Sequence, residues 1–287
     1  MVAESVHAVT YFAPTCRQAL RDAGLRGFWA GYFAARAAPL GAVGAGPVAA
    51  SFFNFDPAMV RRAVPSCWDV LDPATLTVQR ALAAAGALHE LCAPDPLEAL
   101  MASLPALRRA VANCAGEGRP LTGANRDLWP SVEAGLRRRA AAEPIIAVGE
   151  AWQACTTLRE HRGDGHVASL LTHGLDGLEA HLLAAGTRDV PADVLRESRG
   201  WTAPQWEAGV ARLDGRGLLR PDGLATAAGH ELGRRIEAMT DDLAGPALAG
   251  LGDDEVAALH RALLGCATQI QSSGLFPFPN PIGLPAL

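Results

Sequence analysis

Apolar residues recur at three- and four-residue spacing along most of the chain, and runs of alternating β-branched residues are nearly absent. Strong helix formers dominate the same stretches, so the pattern predicts a mainly α fold with one small β-hairpin. Proline stands at several predicted first turns, where its missing N–H leaves no hydrogen bond unmade. The helices predicted before residue 161 span 14–23, 27–35, 57–63, 73–91, 96–112, 131–142 and 145–160.

A further helix is predicted from Gly165 to about residue 186. Gly163 and Gly165 allow a tight turn, so the 145–160 helix is expected to end before them and Asp164 to cap the next one. His166 and His173 lie seven residues apart, on about the same side of this helix. Its apolar face is formed by Val167, Leu170, Leu171, Leu175, Leu178 and Leu182.

The order of elements after residue 190 is that of a winged helix-turn-helix. Helices are predicted over 191–199, 204–213, 226–242 and 253–270, with Thr202 as a cap. Pro221-Asp222-Gly223 separates two short apolar runs, which is typical of a hairpin. We therefore divide the chain into a helical ligand-binding domain (1–186), a winged helix (187–270) and a Pro-rich extended tail (271–287).

Length and composition narrow the class of protein. The 287 residues can bury a substantial core, and with 49% hydrophobic and 19% charged residues the chain is not disordered. A net charge of −5 provides no overall field for nucleic acid, so DNA binding would need a local basic patch. The most membrane-like stretch, 27–55, contains an arginine and two prolines, and the N-terminus lacks a secretory signal pattern. We expect a soluble cytoplasmic protein without membrane contact.

The sequence indicates no cofactor. Its six cysteines never form a CxxC pair, no G-x-G-x-x-G follows a strand, and lysine is absent, which excludes Schiff-base chemistry and pyridoxal phosphate attachment. His161, His166 and His173 are metal-ligand types, but their spacings match no zinc motif. We predict no structural zinc and leave a catalytic metal open.

One polar run stands out in this apolar chain. Residues 158–166 hold two imidazoles, two carboxylates, two guanidinium groups and two glycines. His161 or His166 could move a proton near neutral pH, with Glu160 or Asp164 orienting the ring, so these four are the candidate catalytic residues. The alternative is a structural corner in which the arginines pair with the carboxylates.

Ligand-binding candidates surround this run and the aromatic stretch before residue 56. Aromatic residues flank the Gly/Pro-rich segment 39–47 and could line an apolar pocket for a flat or polycyclic metabolite, although such clusters are more often plain core. Arginines beside the polar run could hold a carboxylate or enolate. The candidates are Arg159, Arg162, His173, Asn54, Arg36, Trp29, Tyr32 and Phe53.

Several segments resemble known helix-turn-helix proteins. Residues 206–212, 217–219 and 224–229 resemble winged helices of the MarR type. Nearly the whole chain is similar to an actinobacterial helix-turn-helix family that carries the Glu-His-Arg-Gly-Asp-Gly-His run found here at 160–166. The similarity also covers residues 27–33, 36–41, 53–55, 119–121, 198–201 and 280–281.

This resemblance implies a helical portion leaning on a MarR-like winged helix, and a homodimer formed through the helices at 226–242 and 253–270. The resemblance implies either a ligand-responsive regulator or a winged helix that acts on small molecules in specialised metabolism, and it implies no particular catalytic mechanism. The DNA-binding candidates are Gln205 and Arg212 on the recognition helix, with Arg216 and Arg220 at the wing. They form a thin basic set beside Glu207 and Asp222.

Three functions remain open at this point. The leading hypothesis is a small-molecule-binding winged-helix protein, with a ligand-responsive transcriptional regulator as its most ordinary form. The alternative is a cofactor-independent enzyme of specialised metabolism that cyclises, isomerises or hydrolyses its substrate by His/carboxylate acid–base chemistry. The third is a scaffold that binds only protein, because a fold alone does not define a function.

Overall fold

A computed structural model describes residues 2–140, 142–188, 190–280, 282–284 and 286–287. The described residues form sixteen α-helices and three 3-10 turns, at Ala38–Leu40, Ser66–Asp69 and Gly245–Leu248, which confirms a mainly helical fold. The helices are α1 Val2–Phe12, α2 Pro14–Asp22, α3 Phe28–Ala37, α4 Ala45–Ser51, α5 Pro57–Arg61, α6 Pro73–Leu91, α7 Pro94–Ala102, α8 Leu104–Ala112, α9 Pro120–Asp127, α10 Trp129–Arg139, α11 Glu143–Thr172, α12 Gly177–Thr187, α13 Ala192–Ser198, α14 Ala203–Gly215, α15 Ala227–Ala244 and α16 Asp253–Ser272.

Local signals explain where most helices begin. Pro14, Pro57 and Pro73 are the first residues of α2, α5 and α6. The predicted helix 96–112 is instead two helices that meet at Ser103. Pro105 accounts for the break, because proline cannot donate the backbone hydrogen bond that a continuous helix needs there.

Helix α1 was not predicted because its polar residues are buried together with its apolar ones. Ser5, His7 and Thr10 are as inaccessible as Val6 and Val9. The helix packs against both α11 and α16, so it has no solvent-facing stripe that would reveal its period. Helices α4 and α9 were missed as well.

The predicted break at Gly163 and Gly165 is wrong. Helix α11 runs unbroken through both glycines, and neither has a positive φ. Asp164 does not cap the helix that follows it in the chain; it accepts hydrogen bonds from the backbone N and Oγ1 of Thr122 in the first turn of α9, each at 2.8 Å. The chain turns only after Thr172, and the capping box of α12 is formed by Asp176 and Glu179.

The two glycines of α11 should respond oppositely to alanine. A Cβ on Gly163 would meet only Glu160 Oε2 at 3.8 Å, so Gly163→Ala should raise the free energy of unfolding by about 1 kcal/mol through helix propensity. A Cβ on Gly165 would lie 3.2 Å from Leu243 Cβ and 3.3 Å from Arg119 Nη1. Crowding there should make Gly165→Ala less stable than the wild type by about 1 kcal/mol. Urea unfolding measures both; equal shifts in the two variants would contradict this geometry.

Two hydrophobic clusters organise the fold. The larger one joins α1–α11, α16 and the tail, and the smaller one joins the end of α11 to α12, α14 and α15. We call α12–α15, residues 177–244, the C-terminal unit. Packing therefore groups α12 with this unit and α16 with the larger cluster, whereas the sequence division at residues 187 and 270 separates them differently.

The predicted wing is very short. In the described part of the chain it consists of one antiparallel bridge between Leu219 and Ala225, with no strand on either side. Thr226 donates its backbone N–H to Leu218 O at 3.0 Å and is the N-cap of α15. The hairpin expected there is thus a tight turn, closed by few hydrogen bonds.

The tail folds back onto the larger cluster. The Phe276 ring packs edge-on against Phe12, and the Asn280 side chain exchanges two hydrogen bonds with the Leu284 backbone, both at 2.9 Å. Pro281, which the resemblance included, lies outside the described residues. No helix in the described ranges has the length and apolar character needed to span a membrane.

Candidate ligand-binding cavity

A cavity of about 570 Å³ lies where the larger cluster meets the C-terminal unit. Its walls come from α3, α11, α12, α15 and α16, from the segment 51–55 and from tail residues 282–284. Aliphatic and aromatic side chains form most of the lining, and about a third of the lining residues are polar or charged. This size and composition are typical of sites for drug-sized molecules.

Most of the candidate residues line this cavity. Among the catalytic candidates, His161, Asp164 and His166 line it and Glu160 does not. The ligand-binding candidates in the wall are Tyr32, Arg36, Phe53, Asn54, Arg159 and Arg162. Two ligand-binding candidates lie outside the cavity. Trp29 packs against Tyr32 and Phe55. His173 is the C-cap of α11, and its Nδ1 donates to Ser169 O at 2.8 Å.

Glu160 lies behind the cavity wall and binds two arginines that line it, Arg36 and Arg159. Arg36 donates from Nε and Nη2 to its two carboxylate oxygens, both at 3.1 Å, and Arg159 donates from Nη1 at 3.0 Å. Burial by itself would raise the pKa of Glu160, but Arg159 and Arg36 outweigh it and hold the pKa far below its usual range. Glu160 is therefore a fixed anion with no proton to exchange near neutral pH.

The same cluster reaches α1 and the aromatic wall. Arg159 donates from Nε to Glu4 at 3.2 Å, and the Arg36 guanidinium lies 4.3 Å from the centre of the Phe52 ring. Arg36 also donates to the Tyr32 hydroxyl at 3.5 Å. Two guanidinium groups thus balance two carboxylates, and α1, α3 and α11 are bound together at the cavity edge.

His161 is a neutral imidazole beside a guanidinium. The Arg119 side chain donates to the His161 carbonyl at 2.8 Å and to Leu243 O at 2.9 Å, and its Nη1 lies 3.2 Å from the ring Nδ1. Burial and the Arg119 charge lower the pKa of His161 to about 4. Arg119 therefore joins α11 to the end of α15 and keeps this ring unprotonated.

His166 carries a defined tautomer. Its Nδ1 lies 3.0 Å from Thr240 Oγ1, and that hydroxyl already donates its only hydrogen to Ile236 O at 2.7 Å. Nδ1 must therefore be the donor, which leaves a lone pair on Nε2. Burial lowers the pKa of His166 below its ordinary value, so the ring is a neutral base at pH 7.

Asp164 and Arg162 make polar contacts that join α11 to neighbouring helices. Burial raises the pKa of Asp164, partly offset by the two hydrogen bonds from Thr122. Arg162 donates to Glu237 at 2.8 Å and to Asp241 at 3.0 Å, which ties α11 to α15. Both are held in the wall by protein partners.

Residues 52–56, which we call the Phe loop, form the aromatic end of the cavity and contact the C-terminal unit. Trp201 Nε1 donates to Asn54 O at 3.1 Å, and Asp56 donates its backbone N–H to Arg199 O at 2.9 Å. A Cβ on Gly177, the first residue of α12, would lie only 1.9 Å from Phe53 O. The loop is therefore fitted directly against α12 and the start of α14.

Sequence reasoning missed several lining residues, among them His181 and Arg199. His181 on α12 is 6% exposed, and its Nε2 has no hydrogen-bond partner among the described residues; the same holds for Asn54 Oδ1. Arg199 lies 4.7 Å above the Phe55 ring and donates to Ser198. Burial lowers the pKa of His181 to about 3, with Arg199 adding to the effect. The segment 198–201 carried the resemblance, but nothing local marked His181.

The DNA-binding candidates are engaged by protein groups. Arg212 donates to Glu179 at 2.9 Å and to Asp176 at 3.0 Å, and Arg216 donates to Gly174 O at 2.9 Å. Arg220 pairs with Asp222 at 3.1 Å in the short turn. Gln205 completes the α14 capping box and donates to Asp56 at 3.0 Å. The exposed side of α14 keeps two acidic residues, Glu207 and Asp214.

Stability should fall as the pH drops from about 7 to about 4. Burial lowers the pKa of His7, His161, His166 and His181 below the unfolded value of 6.5. At pH values between the folded and the unfolded pKa of a ring, the unfolded chain binds more protons than the folded one. Each ring therefore lowers the free energy of unfolding by about 1.4 kcal/mol for every pH unit of acidification in that range. Urea unfolding at several pH values measures how the free energy of unfolding changes with pH, and this slope reports the number of protons taken up on unfolding. His181→Phe should reduce that number by one. A pH-independent stability would contradict the neutral rings.

The described residues offer no group of three or more histidine, cysteine or acidic side chains that could hold a metal ion. A search of curated proteins and a search of solved structures gave no significant match. A family model described as "Helix-turn-helix family" matches residues 1–277. The order of α13, a short turn and α14 beside the cavity agrees with that description. The chain therefore belongs to this helix-turn-helix family.

Proposed function

We propose that this protein binds one small molecule in the 570 Å³ cavity and that the occupant acts on the C-terminal unit. The observation that carries the proposal is the double role of the Phe loop. The loop lines the cavity with Phe52, Phe53 and Asn54, and two of these residues, Phe53 and Asn54, also contact Gly177 at the start of α12 or Trp201 just before α14. A ligand that shifts the loop must also shift the helices bound to it.

The path from the cavity to α14 is short. Gln205, in the first turn of α14, donates to Asp56 at 3.0 Å, and Asp56 is the N-cap of α5. Trp201 precedes α14 and donates to Asn54 O. Only one or two hydrogen bonds therefore separate a ligand at Asn54 from the candidate recognition helix, which supports a response to ligand.

A ligand-responsive regulator is the most ordinary form of this function. In that form α13–α15 with the Leu219–Ala225 bridge act as a MarR-like winged helix with a reduced wing, and Gln205, Arg212, Arg216 and Arg220 meet DNA. DNA would compete with Asp176 and Glu179 for Arg212. Binding would thus require release of α14 from α12, a change that the Phe loop can transmit. Self-association through α15 and α16 stays a prediction.

The regulator form is tested by retention of random duplex DNA fragments at rising salt. We expect retention at low salt, loss of affinity as salt rises, and release by the metabolite fraction that native mass spectrometry finds bound. Arg212→Ala should weaken retention, and Arg234→Ala, on the exposed face of α15 and paired with Glu231, serves as control. A protein that retains no fragment in either state is not a DNA-binding regulator, whereas the cavity proposal would stand.

One observation favours an acid–base enzyme as the second candidate. His166 lines the cavity as a neutral base with a lone pair on Nε2, oriented by Thr240. Such a group can accept a proton from a bound substrate. Incubation of a bound metabolite with wild type and His166→Gln separates the two functions: turnover lost in the variant while binding persists favours the enzyme, and unchanged metabolite in both favours the binding protein.

A further inference from the structure

We infer that the ligand is a flat aromatic molecule that presents uncharged hydrogen-bond donors, hydroxyl or N–H groups, to Asn54 and His181. This inference rests on the proposed small-molecule binding and specifies its ligand class. Both residues line the cavity, and each carries a buried polar atom that the described residues leave without a partner. A buried polar group without a partner is costly, so a ligand that supplies the missing partner gains affinity.

Both unpartnered atoms can accept a hydrogen bond. Asn54 Oδ1 is an amide oxygen. Burial lowers the pKa of His181 to about 3, so the ring is neutral at pH 7 and only one of its two nitrogens carries a hydrogen. With that hydrogen on Nδ1, the unpartnered Nε2 offers a lone pair. A ligand that donates hydrogen bonds therefore satisfies both atoms at this end of the cavity.

The charged groups nearby do not call for an ionic ligand. The carboxylate of Glu160 is shared by Arg36 and Arg159, and Arg159 also binds Glu4. A carboxylate on the ligand would have to compete with these buried pairs, and the loss of a partner in such a pair is costly. An uncharged donor leaves every pair intact.

The body of the ligand is indicated by the rings around Asn54. Phe53 is half-buried and lines the cavity, whereas Phe52, Phe55 and Tyr32 are nearly inaccessible and pack together in the wall, with the Tyr32 and Phe55 ring centres 5.5 Å apart. Aromatic pairs favour offset or edge-to-face contact, which a flat ring system can make with Phe53. The Phe loop therefore contacts both the polar group and the aromatic body of the ligand.

Three anthraquinones of one shape test the inference. 2,6-Dihydroxyanthraquinone donates hydrogen bonds, 2,6-dimethoxyanthraquinone only accepts them, and anthraquinone-2-carboxylate carries an anion. We expect calorimetry to show the dihydroxy compound binding the full-length protein at least about tenfold more tightly than the other two, because neither of them satisfies the acceptors. His181→Phe should bring the ratio of dihydroxy to dimethoxy affinity close to one.

The ratio of affinities separates this role from a purely structural one, since a general loss of packing weakens all three probes alike. His173→Phe, the same change outside the cavity, should leave the ratio as in the wild type. If His181→Phe does not fold, Asn54→Leu tests the other acceptor. Tightest binding of the carboxylate, or a ratio unchanged in both variants, overturns the inference and leaves small-molecule binding standing. Binding of no probe overturns the inference, and a protein also empty by native mass spectrometry overturns the proposed function.

Discussion

Glu160→Gln is expected to lower the free energy of unfolding by about 3–5 kcal/mol, the usual effect of removing one partner from a buried ion pair. Glu160 is 1% exposed and is the carboxylate that both Arg36 and Arg159 contact. The glutamine keeps the shape of the side chain but leaves buried guanidinium charge without its anion. Urea unfolding at pH 7 measures the change.

Two further variants separate charge from packing in that result. Glu231→Gln removes an exposed carboxylate that pairs with Arg235 at 3.0 Å, and it should leave the free energy of unfolding nearly unchanged. Adding Arg36→Met to Glu160→Gln should recover part of the loss, because it removes the unpaired guanidinium. Equal small effects of Glu160→Gln and Glu231→Gln would mean that Glu160 does not hold α3 to α11.

Gly177→Ala is expected to lower the free energy of unfolding by about 3 kcal/mol, the upper end for overpacking, and to weaken ligand binding as well. A Cβ at this position would lie 1.9 Å from Phe53 O and 3.2 Å from Asn54 Cα. Both contacts are backbone atoms, so no side-chain rotation relieves them. The Phe loop and α12 must separate, which moves Asn54 away from His181.

Gly46→Ala is the matched control, because a Cβ there has nothing within 4 Å and the residue lies early in helix α4. We expect it to be neutral or slightly stabilising. Thermal unfolding and native mass spectrometry on both variants give stability and ligand retention together. Gly177→Ala that is stable and retains ligand like Gly46→Ala would show that the Phe loop does not depend on its contact with α12.

Local signals predicted the helices whose ends they define. Helix α6 spans 73–91 as expected, because Pro73 and the Asp72 cap begin it and the apolar spacing continues to Leu91. The glycines of α11 misled the prediction, since glycine permits a turn without requiring one. Gly165 is needed instead for the close approach of Arg119 and Leu243. That requirement comes from tertiary packing and leaves no local trace.

The candidate site was predictable only in part for a similar reason. The polar run 158–166 is conspicuous in the sequence, and the structure brings His161, Asp164 and His166 to the cavity wall. Successive residues of a helix point in directions about 100° apart, however, so Glu160 lies behind the wall although its neighbours line it. His181 is isolated in the sequence, and its relation to Asn54 arises only when α12 docks on the Phe loop.

Native mass spectrometry of the protein after incubation with a metabolite extract shows whether the cavity holds a ligand. We expect one small molecule bound per chain in the wild type and in Gly46→Leu. We expect loss of that molecule in Gly163→Leu, because Gly163 lines the cavity and a Cβ on it would meet only Glu160 Oε2, at 3.8 Å. Because Gly163 is helical, the variant should remain folded. Equal retention in all three proteins, or no bound molecule in any of them, would contradict a ligand in this cavity.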